Sequence, residues 1–576
     1  MMPGKPAFPG TTRKTKGRAR TLIATILLSV LLLPHAAPAE DASHSLVKRA
    51  ETGNAEAQMN LGLMYYTGEG VPQDYAKAAT WFRLAADQGM AKAEYYLGRM
   101  YAYGYSVGRD DAEAVRWYRK AAEKGFPDAQ TNLGFMYFAG RGVQRDDVEA
   151  AQWFRKAAEQ GDPAAQTNLG FMYHTARGVQ RDDVEAAKWY RKAAEREYPD
   201  AQYDLAVMYS TGMGVPKDEA EAIKWFRKAA VQGNAAAQNN LGYLYFQGVG
   251  LSQSDAEAVN WYRKSADQGN ADAQTNLGFM YYYGRGVPLD YTEAAKWFRK
   301  AAEQGNPVAQ YNLGFFYFRG LGVPYSDHEA VRWFRKAAEQ GYAPAEASLG
   351  FMYYNGRALP QNIREATKWY RSAAEKGDVV AQNILGDMYA TGAGGVPQNY
   401  FEAARWFRAS AERGYPAAQT NLGFLYYNGT GVPQNSTEAQ KWFRKAAEQG
   451  DAAAQTNLGF LYFNGSGVPQ NDAEAANWFH KSAEQGDAAA QLNLGFLYYN
   501  GRGVRRNYTE AAKWYRKAAE QGNAEAQNNL GMLYQYGKGV PRNEREALRW
   551  FRSAAEGGNV TAITNLEKIR ERRRRP

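Results

Sequence analysis

The sequence contains no cysteine among its 576 residues and only five histidines. Without cysteine there can be no disulfides, thiol nucleophiles, thiolate metal sites or covalently attached haems. No two histidines stand at the spacing of a metal-binding pair. No acid or base departs from the repeat described below in the way that a grafted catalytic residue would. We therefore predict no catalytic residues, no metal and no cofactor.

The chain also lacks a long stretch of one charge sign in its interior, and its net charge of +10 comes from the two ends. Six basic residues and no acidic residue precede residue 40, and the last ten residues hold six basic and two acidic groups. The interior is close to neutral, which excludes a phosphate-binding stripe and predicts that nucleic acid is not a partner. We interpret Arg572–Arg575 as a solvated tail, with an anionic envelope surface as the alternative ligand.

A short apolar run near the N-terminus has the pattern of a secretory signal peptide. Basic residues precede the thirteen-residue run Thr21–Leu33, and Ala37-Pro38-Ala39 follows with small residues at the positions that a signal peptidase reads. A spanning helix needs about 20 apolar residues, so a retained membrane anchor is the alternative interpretation. We expect residues 1–39 to be removed. The mature chain would then start at Glu40, have no integral membrane span and be periplasmic or secreted.

A 36-residue unit recurs fourteen times and organises the rest of the chain. Its copies, numbered one to fourteen, begin at Gly53, Gly89, Gly125, Gly161, Glu197, Gly233, Gly269, Gly305, Gly341, Gly377, Gly414, Gly450, Gly486 and Gly522. One extra residue, near Gly394, breaks the period. A fixed period in this range is typical of a solenoid, whose stacked units share one core.

We therefore predict an all-α fold, a right-handed α-solenoid (superhelix) of fourteen helix-loop-helix repeats at residues 53–557. Partial capping helices are expected at 40–52 and 558–576, the latter ending in the basic tail. Such imperfect ends give a solenoid the polar caps that it needs for solubility. We expect the protein to be a monomer.

The copy Gly269–Gln304 shows how the unit is built. Apolar residues recur at helical spacing over Asn270–Tyr283, which predicts a first helix, helix A. Gly284–Pro288 ends this helix, because glycine adopts left-handed geometry and proline cannot continue a helix. Asp290 and Glu293 have the spacing of a capping box, in which each side chain binds a backbone N–H of the other residue. They predict the start of a second helix, helix B.

Two residues of the unit hardly vary among copies. All fourteen tryptophans of the chain lie at the Trp297 position, one in each repeat. A tryptophan stripe could be a stacking platform, but we interpret it as core packing. Glycine occurs at the Gly278 position in thirteen copies, with Ala206 the exception. Since glycine inside a helix costs about 1 kcal/mol relative to alanine, we interpret Gly278 as the cavity that receives the tryptophan.

The motifs Leu277–Tyr281 (LGFMY) and Ala294–Ala302 (AAKWFRKAA) resemble those of the Sel-like repeat (SLR) family, a relative of the tetratricopeptide repeats. The resemblance covers nearly the whole chain. It implies an α-solenoid of helical hairpins that acts as an adaptor, holding proteins or assembling complexes, often in the bacterial envelope or at a host interface. Some cysteine-rich relatives are credited with binding or hydrolysing β-lactams. This chain lacks their cysteine pairs, so a β-lactam hydrolase is only the third functional alternative.

A helical wheel of helix A places Phe279 opposite the expected core, with Tyr282 beside it. The first of these positions is aromatic in nine copies, at Phe135, Phe171, Tyr243, Phe279, Phe315, Phe351, Phe424, Phe460 and Phe496. One interpretation is an aromatic ladder along a groove, which binds apolar side chains of a peptide or stacks on sugar rings. The other is that superhelical curvature brings successive A helices together, so that the rings pack on one another. The two interpretations are compatible.

Asn276 flanks the same face, and asparagine occurs at this position in ten copies, including Asn312. A row of side-chain amides can pair with the backbone of an extended peptide or with sugar hydroxyls. The alternative, which we prefer, is an intramolecular bond to the loop of the neighbouring hairpin.

Together these patterns predict an exported bacterial scaffold that binds a partner protein or peptide through a concave groove lined by the A helices. A carbohydrate-binding module for exopolysaccharide or cell-wall handling is the alternative, since aromatic rings and amides also suit a glycan. A protein or peptide partner is expected, and a glycan partner is possible. We expect no enzymatic activity.

Overall fold

The computed structural model describes residues 39–574, including the side chains of residues 45–569. This part of the chain consists of thirty helices without a strand, which confirms the predicted all-α class. Each repeat contributes two helices of thirteen residues.

The first helix, α1, is Ala39–Glu51, and the last, α30, is Val560–Arg574. The A helices are α2 (Ala55–Thr67), α4 (Ala91–Tyr103), α6 (Pro127–Ala139), α8 (Pro163–Thr175), α10 (Pro199–Thr211), α12 (Ala235–Gln247), α14 (Ala271–Tyr283), α16 (Pro307–Arg319), α18 (Ala343–Asn355), α20 (Val379–Thr391), α22 (Pro416–Asn428), α24 (Ala452–Asn464), α26 (Ala488–Asn500) and α28 (Ala524–Tyr536). The B helices are α3 (Tyr75–Asp87), α5 (Asp111–Glu123), α7 (Asp147–Glu159), α9 (Asp183–Glu195), α11 (Glu219–Val231), α13 (Asp255–Asp267), α15 (Tyr291–Glu303), α17 (Asp327–Glu339), α19 (Ile363–Glu375), α21 (Tyr400–Glu412), α23 (Ser436–Glu448), α25 (Asp472–Glu484), α27 (Tyr508–Glu520) and α29 (Glu544–Glu556).

The predicted signals end helix A and begin helix B. Helix α14 ends at Gly284, whose φ of 65° is left-handed and whose N–H donates to the carbonyl of Met280. Asp290 caps α15, because its carboxylate accepts the N–H groups of Thr292 at 2.8 Å and Glu293 at 3.0 Å. These bonds satisfy backbone groups that have no partner inside the helix.

The second bond of the predicted capping box, in which the side chain of Glu293 accepts the N–H of Asp290, is wrong. Glu293 pairs with Lys296 one turn along α15, with an N–O distance of 2.6 Å. The N–H of Asp290 donates instead to the backbone carbonyl of Tyr281 at 3.0 Å, across the loop. Because the backbone already satisfies this donor, the glutamate is free to form a surface ion pair.

Each A helix packs against the B helix of its own repeat, and within each compact unit of the chain it also packs against the helix that precedes it. The chain divides between Gln304 and Gly305 into two compact units, and this packing pattern holds within each unit. The shared core consists largely of alanine, leucine, methionine and phenylalanine, and Ala273, Leu277 and Met280 of α14 are completely buried. Core surface shared between successive hairpins confirms the predicted α-solenoid.

The terminal helices pack on the repeats beside them. Leu46 and Ala50 of α1 lie in one cluster with Leu61 of α2. Ala562 and Ile569 of α30 lie in one cluster with residues of α29.

The tryptophans pack between repeats, as predicted for core residues. Trp189 is 8% exposed and lies in one cluster with Phe154 of the preceding B helix. The predicted pairing with glycine is wrong, because a Cβ at Gly278 would lie 2.8 Å from the ring of Phe298. Adjacent helical residues point about 100° apart. Phe298 therefore faces its own helix A, while Trp297 faces the neighbouring repeat.

A buried glutamine on each of most A helices links neighbouring repeats, and we call this series the amide ladder. Gln274 is 4% exposed. Its Nε2 donates to the carbonyl of Ala266 at the end of the preceding helix B, at 3.1 Å. Its Oε1 accepts from Nε2 of Gln304, just after its own helix B, at 2.8 Å. Buried amides satisfied in this way fix the spacing of successive hairpins.

Two repeats replace the amide pair with an ion pair. Glu94 and Lys124 of repeat two are 2.6 Å apart, and Glu346 of repeat nine pairs with Lys376. Where arginine or glycine follows helix B instead, the ladder oxygen has no hydrogen-bond partner among the described residues; this is so at Gln166, Gln382 and Gln527.

Polar side-chain contacts also join neighbouring repeats. The Nη2 of Arg263 donates to the hydroxyl of Tyr281 at 2.6 Å. Arg285 makes two hydrogen bonds, both 2.8 Å long, to the carboxylate of Asp255. Bidentate hydrogen bonds of this kind fix the orientation of the two side chains as well as the distance between them.

The extra residue of repeat ten lies in the loop between α20 and α21, as the sequence indicated. Gly394 and Gly395 both have positive φ, 77° and 75°. The carbonyl of Gly394 accepts a hydrogen bond from the hydroxyl of Thr367 at 2.9 Å. The insertion therefore lengthens a loop and leaves both helices at thirteen residues.

Candidate partner-binding face on the A helices

Four positions of each A helix, those that the helical wheel places opposite the core, form the face that we call the aromatic face. In α14 they are Thr275, Asn276, Phe279 and Tyr282. The predicted site residues lie at these positions in successive repeats.

One edge of each of several rings packs on the core of its own hairpin. Phe424 meets Phe443 edge-to-face with ring centroids 5.3 Å apart, and Phe460 meets Phe479 in the same way at 5.2 Å. Rings at these distances attract each other through their quadrupoles. The outward ring is thus held in place by helix B of the same repeat.

Rings on neighbouring A helices also meet, where a ring at the Tyr282 position of one repeat touches the ring at the Phe279 position of the next. These edge-to-face pairs are Phe138 with Phe171 at 6.1 Å, Phe318 with Phe351 at 5.9 Å, and Phe463 with Phe496 at 6.0 Å. For these rings, packing between successive A helices is confirmed.

The outward rings differ widely in exposure. Phe424 and Phe496 are 37% and 39% exposed, whereas Phe279 and Phe315 are 0% and 5% exposed. The expectation of a solvent-facing ring therefore fails at Phe279 and Phe315, and Phe279 lies edge-to-face on Phe298 at 5.1 Å. The remaining predicted rings are partly buried: Phe135, Phe171, Tyr243, Tyr282, Phe351 and Phe460.

The asparagines of this face make intramolecular bonds, but not to a hairpin loop as predicted. Asn312 donates to the carbonyl of Val308 one turn earlier, at 2.7 Å. Asn276 donates to the side chain of Asn239 on the preceding A helix, at 2.9 Å. A carbonyl one helical turn away is within easy reach of a short polar side chain, which explains the first bond.

Three successive A helices, α22, α24 and α26, contain no charged residue. Their outward residues form the surface that we call the neutral strip: Asn421, Phe424, Asn457, Phe460, Asn493 and Phe496. The B helices beside them carry charge, as in the pair of Glu438 and Lys441 at 2.6 Å. The neutral strip is therefore a continuous surface of rings and amides beside a charged one.

Two repeats place a charged residue at the Phe279 position. Arg99 of α4 is one of them, and its guanidinium lies 5.7, 5.9 and 5.8 Å from the ring centroids of Tyr66, Tyr95 and Tyr96. Burial raises the pKa of Tyr66 to about 12, so its ring stays neutral beside the cation. The aromatic face thus holds a cation against three rings.

Asp387 of α20 is the second charged residue at this position. Its Oδ1 accepts from Nδ2 of Asn421 at 3.1 Å, and its Oδ2 accepts from Nδ2 of Asn383 at 3.3 Å. Partial desolvation by neighbouring groups raises the pKa of Asp387 to about 6. Asp387 and Asn383 lie in the repeat directly before the neutral strip, and Asn421 is the first residue of that strip.

Sequence reasoning followed the commonest residue at each position and so missed Arg99 and Asp387. The available signal was their departure from the aromatic residue found in nine copies. A charged residue at a position that is aromatic in most copies indicates a binding site more specifically than the aromatic residues do.

The described residues contain neither a metal-binding cluster nor a membrane-spanning helix. Within residues 45–569 no group of three histidine, aspartate or glutamate side chains could hold a metal ion. Over residues 39–574 no helix is both long and apolar enough to cross a membrane. Residues 1–38 of the predicted signal peptide lie outside the described residues, as do the side chains of Arg572–Arg575.

Comparison with known proteins identifies the repeat. The family model of the Sel1 repeat matches fourteen consecutive segments, at residues 55–90, 91–126, 127–162, 163–198, 199–234, 235–270, 271–306, 307–342, 343–378, 379–415, 416–451, 452–487, 488–523 and 524–559. The segment 379–415 contains the extra residue of repeat ten. No curated protein matches the chain.

Solved structures of Sel1 repeat proteins resemble this chain. Crystallised c5321, a protective antigen present in uropathogenic Escherichia coli strains and displaying an SLR fold, is 36% identical over 85% of this chain and 97% of its own, with a TM-score of 0.51. A Sel1 repeat protein from Oxalobacter formigenes is 33% identical over 64% of this chain and 99% of its own, with a TM-score of 0.41. Because the family model covers the chain without a gap from residue 55 to 559, the protein belongs to the Sel1 repeat family.

Proposed function

We propose that this protein is an exported bacterial scaffold that binds a partner protein or peptide through the aromatic face of its A helices. Sel1 repeat solenoids are typical protein–protein interaction scaffolds and are generally not enzymes. The observation that carries the proposal is the neutral strip, which combines exposed rings with the absence of charge. Exposed apolar patches of this kind mark interaction sites, where aromatic residues supply much of the binding free energy.

The packing of the rings supports the same proposal. Phe424 and Phe460 are held edge-to-face by Phe443 and Phe479 before any partner arrives. A side chain that is already ordered loses little conformational entropy on binding. The exposed part of each ring can therefore contact a partner with little loss of conformational entropy.

A carbohydrate-binding module for exopolysaccharide or cell-wall handling is the second candidate. Phe424 and Phe496 each expose more than a third of their surface, which is enough for a sugar ring to stack on. Asn457 and Asn493 donate to the carbonyls of Ala453 and Ala489 through Nδ2. Their oxygens are left to accept from sugar hydroxyls.

Export is part of the proposal and depends on the leader at residues 1–39. The similarity to c5321, a protective antigen, supports a location outside the cytoplasm. N-terminal sequencing of the protein from its native host should start at Glu40. An intact leader would mean that the protein is anchored or retained, and culture fractionation would show which.

Alanine at Phe424, Phe460 and Phe496 should weaken partner binding by about tenfold or more, because several ring contacts are lost together. Full-length protein and the triple variant serve as bait for envelope and conditioned-medium extracts. Eluates are treated with protease or with periodate, which cleaves glycans. Phe401→Ala is the matched control, since Phe401 is 69% exposed on the B helix α21.

A captured species that is lost to protease, absent from the triple variant and present with Phe401→Ala supports the protein scaffold. Loss to periodate alone supports the carbohydrate candidate. Equal capture by all three baits means that the partner does not use the neutral strip. Circular dichroism checks each fold, and leucine replaces alanine at any ring whose removal unfolds the protein.

A further inference from the structure

A carboxylate interrupts the row of aromatic residues directly before the neutral strip. Asp387 of α20 occupies the position that Phe424 occupies on the neighbouring α22. We propose that Asp387, with Asn383 and Asn421, binds the lysine or arginine side chain of a partner segment whose apolar side chains lie on the neutral strip. This inference rests on the proposed protein-binding function and adds the chemistry of the partner.

The two amides orient the carboxylate and leave it able to accept more hydrogen bonds. Asn421 donates to Oδ1 at 3.1 Å and Asn383 donates to Oδ2 at 3.3 Å. Asn421 also donates to Oδ1 of Asn383 at 3.1 Å, which ties the two helices together. An ionised carboxylate accepts about four hydrogen bonds, so about two positions stay open for an ammonium or guanidinium group.

Asp387 differs from the aspartates that serve the fold. At the start of five B helices an aspartate pairs with a loop arginine of the next repeat, namely Asp111, Asp147, Asp255, Asp327 and Asp472. Among residues 45–569, no lysine or arginine pairs with Asp387. Asp387 is exposed to solvent, so its carboxylate is accessible to a cation from another molecule. A partner that supplies the cation accounts for its presence.

The protein itself shows a cation seated on this kind of face. Arg99 occupies the same helix position in repeat two and lies within 6 Å of the ring centroids of Tyr66, Tyr95 and Tyr96. Near Asp387 the neighbouring A helices carry Phe351 and Phe424 at that position. A partner's basic side chain would thus meet a carboxylate with aromatic rings on either side, which suits arginine in particular.

The neutral strip determines the charge and the spacing of the other side chains in the partner segment. It offers no further charge, so a second ionised group on the partner would lose its hydration without gaining a counter-ion. Packed helices lie about 8–10 Å apart, and a peptide in the polyproline II conformation presents the same face every three residues, or about 9 Å. The segment should therefore carry apolar side chains about three residues apart, on one side of a single basic residue.

Selection from a display library of random peptides tests this chemistry. Peptides of about twelve residues span about 40 Å when extended, enough to cross the strip. They are selected on the full-length protein and then measured on Asp387→Asn, on Asp387→Lys and on the Phe424, Phe460 and Phe496 triple-alanine variant. Glu448→Lys is the matched control, because it makes the same kind of charge change at an exposed position of the B helix α23.

We expect the selected peptides to share one lysine or arginine beside spaced apolar residues. They should bind Asp387→Asn and Asp387→Lys at least about tenfold more weakly than the unchanged protein, since a charge-assisted bond is lost. Binding to Glu448→Lys should not change. A peptide with glutamate in place of its basic residue should bind Asp387→Lys better than it binds the unchanged protein.

Peptides that bind through the strip but share no basic residue, or that bind Asp387→Lys unchanged, would overturn the inference and leave the proposed function standing. Selected peptides that bind the triple-alanine variant as well as the unchanged protein would overturn both. Asp387→Asn keeps the size and shape of the side chain, so a loss of binding there cannot be assigned to unfolding if circular dichroism is unchanged.

Discussion

At the level of single residues, repeats two and nine show how the amide ladder accommodates a charge. Glu94 and Glu346 are each only 2% exposed. Both occur where a lysine follows helix B, and Lys124 pairs with Glu94 at 2.6 Å. A buried carboxylate without its cation is strongly unfavourable. The two substitutions in each repeat therefore belong together.

Lys124→Ala should lower the free energy of unfolding by about 1–3 kcal/mol, because the buried Glu94 would lose its hydrogen-bond partner. The double change Glu94→Gln with Lys124→Gln recreates the pair found in most repeats and should restore most of that loss. Urea denaturation followed by circular dichroism measures both. If the double variant were as unstable as Lys124→Ala, charge pairing would not be the reason for the exchange.

Asp387 should make the protein less stable at neutral pH than at acid pH. Its pKa in the folded protein is about 6, above the ordinary value of 3.8. The folded state thus keeps a proton between these values that the unfolded state has released, so stability falls as pH rises from about 4 to about 6. Asp387→Asn should raise the urea midpoint at pH 7.5 and change it little at pH 4. Equal effects at both pH values would contradict this assignment.

The sequence allowed the outward aromatic positions to be predicted, but not which rings are exposed. Helical spacing alone places Phe279 and Phe424 at the same position, yet one is completely buried and the other is 37% exposed. The difference arises from what lies beyond the helix itself, which periodicity does not describe. Asp387 was overlooked for the opposite reason, since an interpretation based on the commonest residue discards exceptions.

Among the helices, the boundaries were predictable because local chemistry decides them. Gly284 and Asp290 end one helix and start the next through bonds within a few residues. The partner of Glu293 was not predictable, because Lys296 and a backbone N–H are both within reach and the sequence does not rank them. The pairing of Gly278 with a phenylalanine depends on the rotation of two helices about their axes, which the sequence also leaves open.

The close approach of helix A to helix B makes Gly459 a sensitive position. Helix propensity alone predicts that Gly459→Ala stabilises the protein by about 1 kcal/mol. A Cβ there would lie 2.7 Å from two ring atoms of Phe479. We therefore expect a net destabilisation of about 1–3 kcal/mol, since overpacking displaces the ring or the helix.

Thermal and urea unfolding of Gly459→Ala, beside Gly459→Ala with Phe479→Leu, measures this effect. The smaller leucine should recover part of the loss. Repeat five is a natural comparison, because Ala206 faces Phe226 there and both are buried. If Gly459→Ala proved stabilising, the ring of Phe479 would be able to move away from the added methyl group at little energetic cost.

For the chain as a whole, the repeat number and the solenoid class could be predicted because the same pattern recurs fourteen times. Fourteen copies give fourteen independent indications of the same helices, so a wrong helix assignment in one repeat does not change the predicted fold. What binds to the chain could not be predicted in this way. Binding depends on the residues that break the pattern, such as Asp387 beside the neutral strip, and these occur once.

The amide ladder has a consequence for how such a chain can change its length. In most repeats the glutamine bonds to a backbone carbonyl of the preceding helix B, as Gln274 does to Ala266, and the partner that can vary, as in Glu94 with Lys124, lies within one repeat. A duplication or deletion of one whole repeat therefore leaves every such buried bond with a suitable partner. Unequal recombination between neighbouring copies can lengthen or shorten the gene by one repeat at a time. The length of the solenoid can therefore change in evolution without new substitutions in the core.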